Sequence, residues 1–476
     1  MDHKKIVVLG AGPAGLTAAW KLAEKGYSVE VIEKESQVGG MAQTLRRARV
    51  RADFGPHTFH VRDTEESRRM VEAVRSLLKE EPHELKRGTR IRLKDKYFTY
   101  PLKMNEVLMG VGPWMALRVL WDYFAANALA WRNPPDGDSS FEEWGVKKLG
   151  RTLYDLCFGI YSRKCWGIPT TQLSSKQAQR VANLSLKTLI LRMLGIKADP
   201  VVYFQRYIYP IGGIGNLYNE MRQRIESHGG NIHLNARIDR LETEGERIGQ
   251  VVIETPAGKQ SIACDGVVST IPLPILTGLF HPHLSSALVG KSRKLRYRGL
   301  RFVYVVVNRT AVTDFHWCYL LEDKFRCNRF SEQKNVAPEM LPKDQTVLCF
   351  ELGCFKGDDI WNATDAELFD IIMQDVRQMG LFTADEVEDY FTSVIERAYP
   401  IYDLGFEENI LGTLTGLAEI DNLMNIGRHG LYMNNSMDDN VLLGITLADF
   451  IEEEGFVAKK WLEEVQNYMV LRYDGK

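Results

Sequence analysis

Residues 53–60, DFGPHTFH, set His57 and His60 three apart among two phenylalanines and a Gly-Pro pair. Such a stretch suits a metal site, an acid–base pair, or a loop shaped to lie against something flat. A buried turn with two satisfied histidines is the structural alternative. Nearer the start, Gly10, Gly12 and Gly15 give G-x-G-x-x-G. That spacing lets a pyrophosphate approach the backbone at the positive end of a helix.

The flanking elements agree with the glycine motif. Ile6 to Leu9 is a short apolar run, expected to form a buried parallel strand. The first glycine permits the tight turn, the second admits the pyrophosphate, and the third lets helix and sheet pack closely. Ala14 to Lys25 has helical spacing with Gly26 as its stop, and Ser28 to Ile32 reads as the second strand. Glu33 ends that strand, where a carboxylate accepts hydrogen bonds from ribose hydroxyls and disfavours a 2′-phosphate. This context predicts dinucleotide binding without separating NAD from FAD.

With 476 residues the chain is too long for one core, so two or three domains are expected. Hydrophobic residues at 45% and charged residues at 26% give an ordinary globular balance, and a formal charge of −2 offers no global field for nucleic acid or anionic lipid. No apolar run approaches the ~20 residues that span a bilayer, and the N-terminal apolar run reads as a strand, not a leader. The seven cysteines are odd in number with no Cys-x-x-Cys, so neither a disulfide framework nor a zinc site is indicated. A reducing, cytoplasmic compartment is expected.

Gly39-Gly40 soon after Glu33, followed by the basic LRRARVR, resembles the extended signature of FAD-binding glutathione-reductase-type flavoproteins. ARIDRLETEGERIGQVVIETPAGKQSIACDGVVSTIP (236–272) resembles the segment that returns the chain beside the adenosine in that class. GRHGLYMNNSMDDNVLLGITLADFI (427–451) resembles its last flavin-touching strand and helix. The resemblance implies an α/β fold with a Rossmann-like FAD-binding domain built from discontinuous pieces, 1–62, 206–275 and 405–476. A helical insertion (63–205) and an antiparallel, sheet-rich insertion (276–404) would separate them. It also implies cofactor contacts from Gly10, Gly12, Gly15, Glu33, Gly39, Gly40, Gly55, His57, Ile238, Met437 and Asp438.

Within the first insertion, residues 64–78 have helical spacing and 90–105 alternate as a short hairpin. Trp114, Leu117, Leu120, Trp121, Phe124 and Leu129 recur at helical intervals and are expected in the core, with a membrane-facing stripe as the lesser reading. NPPDGDSS (133–140) is a loop whose Ser140 caps the next helix.

The arrangement further resembles the UDP-galactopyranose mutase family, in scattered segments across nearly the whole chain. GPHTFH resembles the family's flavin-side histidine loop, so the histidines are not expected to bind metal; His57 would lie over the flavin, with Gly55 allowing close backbone approach. YFTYPLKMN resembles the segment beside the nucleotide base and KCWGIPTTQLSSKQAQRVA the one holding a tryptophan and an arginine. YLLEDKFRCNRFSEQKNVAP, RAYPIYD and GLYMNN resemble those supplying a second arginine and three tyrosines. The resemblance implies catalytic roles for His57, Arg180 and Arg326. It implies substrate contacts from Tyr100, Lys103, Trp166, Tyr319, Tyr399 and Tyr432. Lys103 stands where a glutamine is usual, Ser162 where eukaryotic members resemble an asparagine, and Pro56 within a loop that is otherwise Gly-Gly-His or Gly-Ala-His.

The implied activity interconverts pyranose and furanose forms of a nucleoside-diphosphate sugar without net redox change. It uses non-covalent FAD in its reduced state, with NAD(P)H as an external reductant. In the family the flavin N5 attacks the anomeric carbon and expels the diphosphate; the sugar opens, recloses through another hydroxyl, and the diphosphate re-adds. Guanidiniums and tyrosine hydroxyls suit the charge on that leaving group. No nucleic acid or membrane partner is expected, and a homo-oligomer is compatible with the sequence. The alternative is an FAD-dependent oxidoreductase of the amine oxidase, protoporphyrinogen oxidase or desaturase type, since one scaffold serves many chemistries.

Overall fold

The computed structural model describes residues 4–100, 102, 104–130, 139–180 and 206–473. Its first layer is a five-stranded parallel sheet, ordered Asn231–His233, Ser28–Ile32, Lys5–Leu9, Gly266–Ser269, Leu423–Asn425. The strands come from three distant parts of the chain, as the discontinuous Rossmann-like reading requires. Ile6, Val7, Val8 and Leu9 are fully buried, because helices cover both faces of such a sheet. Helix Pro13–Glu24 packs against the long helix Met437–Glu454 through glycine: a Cβ on Gly444 would lie 2.8 Å from the Ala14 carbonyl oxygen. A smaller four-stranded sheet flanks this layer: Arg237–Glu244, Arg247–Thr255 and Gly258–Ala263 run antiparallel, and Phe280–His281 joins Arg237–Glu244 in parallel.

The second large sheet has seven strands, ordered Val387–Pro400, Tyr297–Val307, Thr346–Cys354, Arg329–Glu332, Trp317–Leu320, Thr89–Leu93, Lys96–Thr99. Its last two strands are the early hairpin, and Thr89–Leu93 runs parallel to Trp317–Leu320. The hairpin side chains Ile91, Leu93 and Phe98 pack into the helical insertion's own core. It thus clamps helices to sheet: its backbone belongs to one, its side chains to the other.

The helical insertion includes Pro113–Ala130, Phe141–Leu149 and a run from Arg151 to Trp166 interrupted by a π turn at Asp155–Gly159. Ser140 caps its helix as expected, its hydroxyl accepting from the Glu143 amide at 3.1 Å. One expectation is reversed. Trp114, Leu117, Trp121 and Phe124 are exposed, not core, because the helix buries Val119 and Tyr123 on its other side. Leu120 is half-buried. The Leu129 side chain, and residues 131–138 of the expected loop, lie outside the described residues. Among the described residues no helix is long and apolar enough to cross a membrane.

Asp53, at the entry to the histidine loop, is almost fully buried. Its carboxyl accepts from the Thr44 hydroxyl (2.6 Å), the Tyr209 hydroxyl and the Ile214 amide (3.4 Å), so one group joins three segments. Burial raises its pKa from 3.8 to about 6 against those hydrogen bonds. The folded protein therefore holds a proton that the unfolded chain loses at lower pH. This contribution to stability is present below about pH 4 and is lost as pH rises to about 6, a change of roughly 3 kcal/mol. Comparing thermal midpoints of wild type and Asp53→Asn across that window should show the wild type losing ground steadily. A difference independent of pH would refute the assignment.

Candidate active site

The three glycines of the first turn meet three different surroundings. A Cβ on Gly10 would strike the Thr270 hydroxyl oxygen at 2.4 Å, and φ there is +99°. A Cβ on Gly15 would lie 2.1 Å from the Gly10 carbonyl oxygen, so helix and strand touch through it. A Cβ on Gly12 would meet nothing within 4 Å. Two glycines are thus packing constraints, and the middle one keeps a cradle open at the helix N-terminus. Gly39 and Gly40, both at positive φ, close the side of that cradle; a Cβ on Gly40 would lie 3.1 Å from the Gly12 Cα. Glu33 is buried beside it, its carboxylate accepting from the amides of Ala11 (2.8 Å) and Glu35 (3.0 Å). Ile238 lies two residues beyond Ala236, whose amide donates to the Glu33 carbonyl at 2.9 Å.

Two buried polar atoms with no partner among the described residues adjoin this turn: Ser269 Oγ, next to the Thr270 that abuts Gly10, and Asn440 Oδ1, 3.5 Å from where a Cβ on Gly427 would lie beside Ala14. Open space at a helix N-terminus and such atoms around it fit a dinucleotide-sized group carrying phosphates and hydrogen-bonding rings. Met437 begins the long helix and Ser436 caps it. Asp438 is engaged with protein, accepting from His60 Nδ1 (2.9 Å) and the Arg62 guanidinium (3.1 Å). These contacts lower its pKa to about 2 against the cost of burial. His60 therefore belongs to this carboxylate, while His57 belongs to the cleft. Among the described residues no cluster of three potential metal ligands exists.

Gly55, at φ +76°, brings the histidine loop onto a buried ion pair: a Cβ there would lie 2.5 Å from Glu351 Oε1. Arg329 grips Glu351 with both arms of its fork, at 2.8 and 2.7 Å. His57 Nδ1 lies 3.3 Å from the Gly55 carbonyl oxygen, so that nitrogen carries the hydrogen and Nε2 is the acceptor. Burial, then the charges of Arg428 and Arg329, depress the His57 pKa to about 3.

Around this loop lies a shell of aromatic rings and cations. Arg329 stacks on Tyr319 (5.7 Å), and Tyr319 packs against Tyr100 (5.6 Å) and Tyr161 (5.9 Å). Arg428 covers Tyr399 (4.9 Å), whose ring meets Trp166 edge-on at 6.0 Å. Arg87 lies over Tyr100 at 4.9 Å and donates to the Tyr207 hydroxyl.

Tyr100, Trp166, Tyr319 and Tyr399 thus come together with His57. Arg326 does not join them: its guanidinium is exposed and pairs with Asp359 at 3.2 Å, while its amide donates to Asp375. Arg329, three residues on, takes the inward place, because its strand position faces Glu351 in register. Tyr432 is also displaced from the expected role. It is fully buried, with its hydroxyl near the carbonyls of Arg296 (2.6 Å) and Ile401 (2.7 Å), and so braces a wall. Lys103 and the Arg180 side chain lie outside the described residues. Arg87, Arg329, Arg428 and Tyr161 were not foreseen; strand alternation around Glu351 was the signal available for Arg329.

Residues 8–74 match the NAD(P)-binding Rossmann-like domain model, and residues 118–403 match the model described as flavin containing amine oxidoreductase. The chain belongs to the flavin-containing amine oxidoreductase family. That membership supports FAD as the cofactor of this basin. The chain is 26% identical over 192 residues to a probable UDP-galactopyranose mutase of Klebsiella pneumoniae, covering 38% of this chain and 46% of that protein. It is 25% identical over 315 residues to a zeta-carotene-forming phytoene desaturase of Myxococcus xanthus, covering 62% and 58%. The match thus spans about half the length of these relatives. A crystal structure of reduced UDP-galactopyranose mutase superposes with a TM-score of 0.80 at 18% identity, covering 95% of this chain and 94% of that one, a likeness of fold.

Two measurements check the site. Gly12→Val should fold but purify without yellow colour, whereas Gly15→Val should lower the melting temperature by forcing helix from strand. A fully flavin-loaded Gly12→Val protein would overturn the cradle. In ¹⁵N-histidine spectra His57 should stay neutral with Nδ1 protonated from about pH 8 to about pH 5, against an ordinary midpoint near ~6.5. A midpoint near that ordinary value would remove the proposed burial between two cations.

Proposed function

We propose that this protein is a flavin-dependent mutase acting on a nucleoside-diphosphate sugar, interconverting ring forms with no net redox change. The observation that carries the reading is the positive, aromatic surround of a neutral His57. Arg428, with Arg329 partly offset by its Glu351 partner, leaves a net positive field near an uncharged imidazole, which favours a diphosphate over an ammonium substrate. Reduced FAD, when bound, supplies a nucleophilic N5 for the anomeric carbon, and NAD(P)H serves as an outside reductant.

This chain's residues then have distinct tasks. Gly12 and the neighbouring amides hold the cofactor pyrophosphate, Glu33 the ribose, and the first turn of helix Met437–Glu454 borders the flavin. Arg329 and Arg428 stabilise the departing diphosphate, a task for which Arg180 is the further candidate by sequence resemblance. Tyr319 and Tyr399 add neutral donors, Tyr100 stacks near the base, and Trp166 lines the sugar side. His57 accepts at Nε2 without carrying charge, so it neither competes with the arginines nor acts as a general acid. Glu351 fixes the orientation of the Arg329 fork, at the cost of part of its field.

The second reading, a flavin-dependent oxidoreductase, is favoured by one observation: the desaturase match extends over 62% of the chain. Anaerobic incubation of reduced protein with a panel of sugar nucleotides separates the two. The mutase reading expects isomers of unchanged mass from the reduced protein and near silence from the oxidised one. In a parallel aerobic assay of the oxidised protein, hydrogen peroxide formed in step with product sinks the mutase reading. Arg329→Lys keeps the charge but loses the fork, so turnover should fall by about 10²–10³ with the flavin spectrum retained.

A further inference from the structure

The outward side of helix Pro113–Ala130 has no task in the cofactor basin or the aromatic cleft. Trp114, Leu117, Trp121 and Phe124 form one stripe on it, spaced three, four and three residues apart, with Met109 of the preceding helix at one end. These five side chains are between 59% and 84% exposed. The helix is otherwise well seated. Val119 and Tyr123 are buried in the insertion's core, and Asp122 accepts from the Thr152 amide at 3.1 Å. A Cβ on Gly150 would lie 2.7 Å from the Asp122 backbone, so the next helical run presses directly on this one.

We propose that this stripe is the contact of a two-fold dimer, its occupant the same stripe of a second copy of the chain. Area, spacing and charge each point there. At ~150–250 Å² for each large aromatic, and less for leucine and methionine, the stripe exposes on the order of 700–800 Å². That exceeds the roughly 300–600 Å² of the largest apolar patch on a typical monomer. It matches the ~800 Å² that each partner contributes to a standard interface. Spacing of three and four residues is the seam along which two helices interlock side by side. Run antiparallel about a two-fold axis, the stripe pairs Trp114 with Phe124 and Leu117 with Trp121 of the second copy, large rings meeting smaller side chains.

Charge argues against a lipid surface. The 18 residues of the helix contain one arginine, Arg118, and one acid, Asp122. A helix seated on anionic lipid has a flank rich in lysine and arginine. The helix carries no net charge and its one exposed charge is Arg118 at the flank of the stripe, so the apolar stripe meets its own copy with little net repulsion. The dimer would also bear on the site. The helical run resting against Asp122 continues through the π turn into Tyr161 and Trp166, so the contact braces the element that presents both rings to the cleft.

Sedimentation velocity on the full-length flavin-loaded protein at micromolar concentrations tests the inference, together with flotation on phosphatidylcholine–phosphatidylglycerol vesicles. The wild type should sediment with the mass of two chains and should not float. Trp121→Glu and Leu117→Arg should each halve that mass while leaving the flavin spectrum and circular dichroism unchanged. A monomeric wild type, two folded variants that both remain dimeric, or a wild type that floats on the vesicles would each overturn the proposal.

Discussion

The bidentate pair between Arg329 and Glu351 is the constraint on which the cleft depends. Both side chains are largely buried, so neither charge is tolerable without the other. The pair is built into adjacent strands, Arg329 opposite Glu351 in register, near the middle of the seven-stranded sheet. The histidine loop lies down on it, and only glycine at position 55 allows the approach. Tyr319 stacks on the guanidinium from one side. Losing Glu351 would leave a buried, unpaired cation beneath the loop; losing Arg329 would leave a buried carboxylate beside His57. The sheet, the loop and the aromatic wall are therefore set by one ion pair.

A second constraint joins the substrate-side elements. The hairpin Thr89–Leu93 and Lys96–Thr99 extends the large sheet by backbone pairing, yet its apolar side chains belong to the helical core. Arg87 and Tyr100 flank this hairpin and so inherit a fixed position relative to both layers. Helical insertion and sheet cannot shift independently without breaking either ladder hydrogen bonds or core packing. That coupling lets Trp166, on a helix, meet Tyr399, on a sheet strand, at a defined edge-on angle of 77°.

Electrostatics then divides labour between groups close together. His57, held below its ordinary range by burial and two arginines, stays neutral. His60, three residues on, instead turns to Asp438 at the start of the long helix, where Arg62 completes the arrangement. Asp53 anchors the loop that carries both and is itself pushed upward by burial. Neighbouring titratable groups thus answer to different surroundings.

The sequence alone determined the cofactor half. Strand, glycine turn, helix, strand and Glu33 are consecutive, and local spacing there dictates local geometry, so Gly10, Gly12 and Gly15 could be given separate roles before any fold was known. The return segments near 236–272 and 427–451 were legible only through their resemblance to a known flavoprotein class, since nothing in their local spacing says which distant strand they join. What only the tertiary structure decided is which side of an element faces what. Arg326 and Arg329 sit in one short basic stretch, and only pairing with Glu351 turns the latter inward. Tyr432 looked like a donor to a ligand and proves to brace the wall, because its hydroxyl reaches carbonyls far along the chain. The stripe on Pro113–Ala130 read as core, since helical periodicity reports that a face is apolar but not what covers it. Periodicity and spacing are properties of one segment, whereas register, burial and charge pairing belong to segments brought together from different parts of the chain.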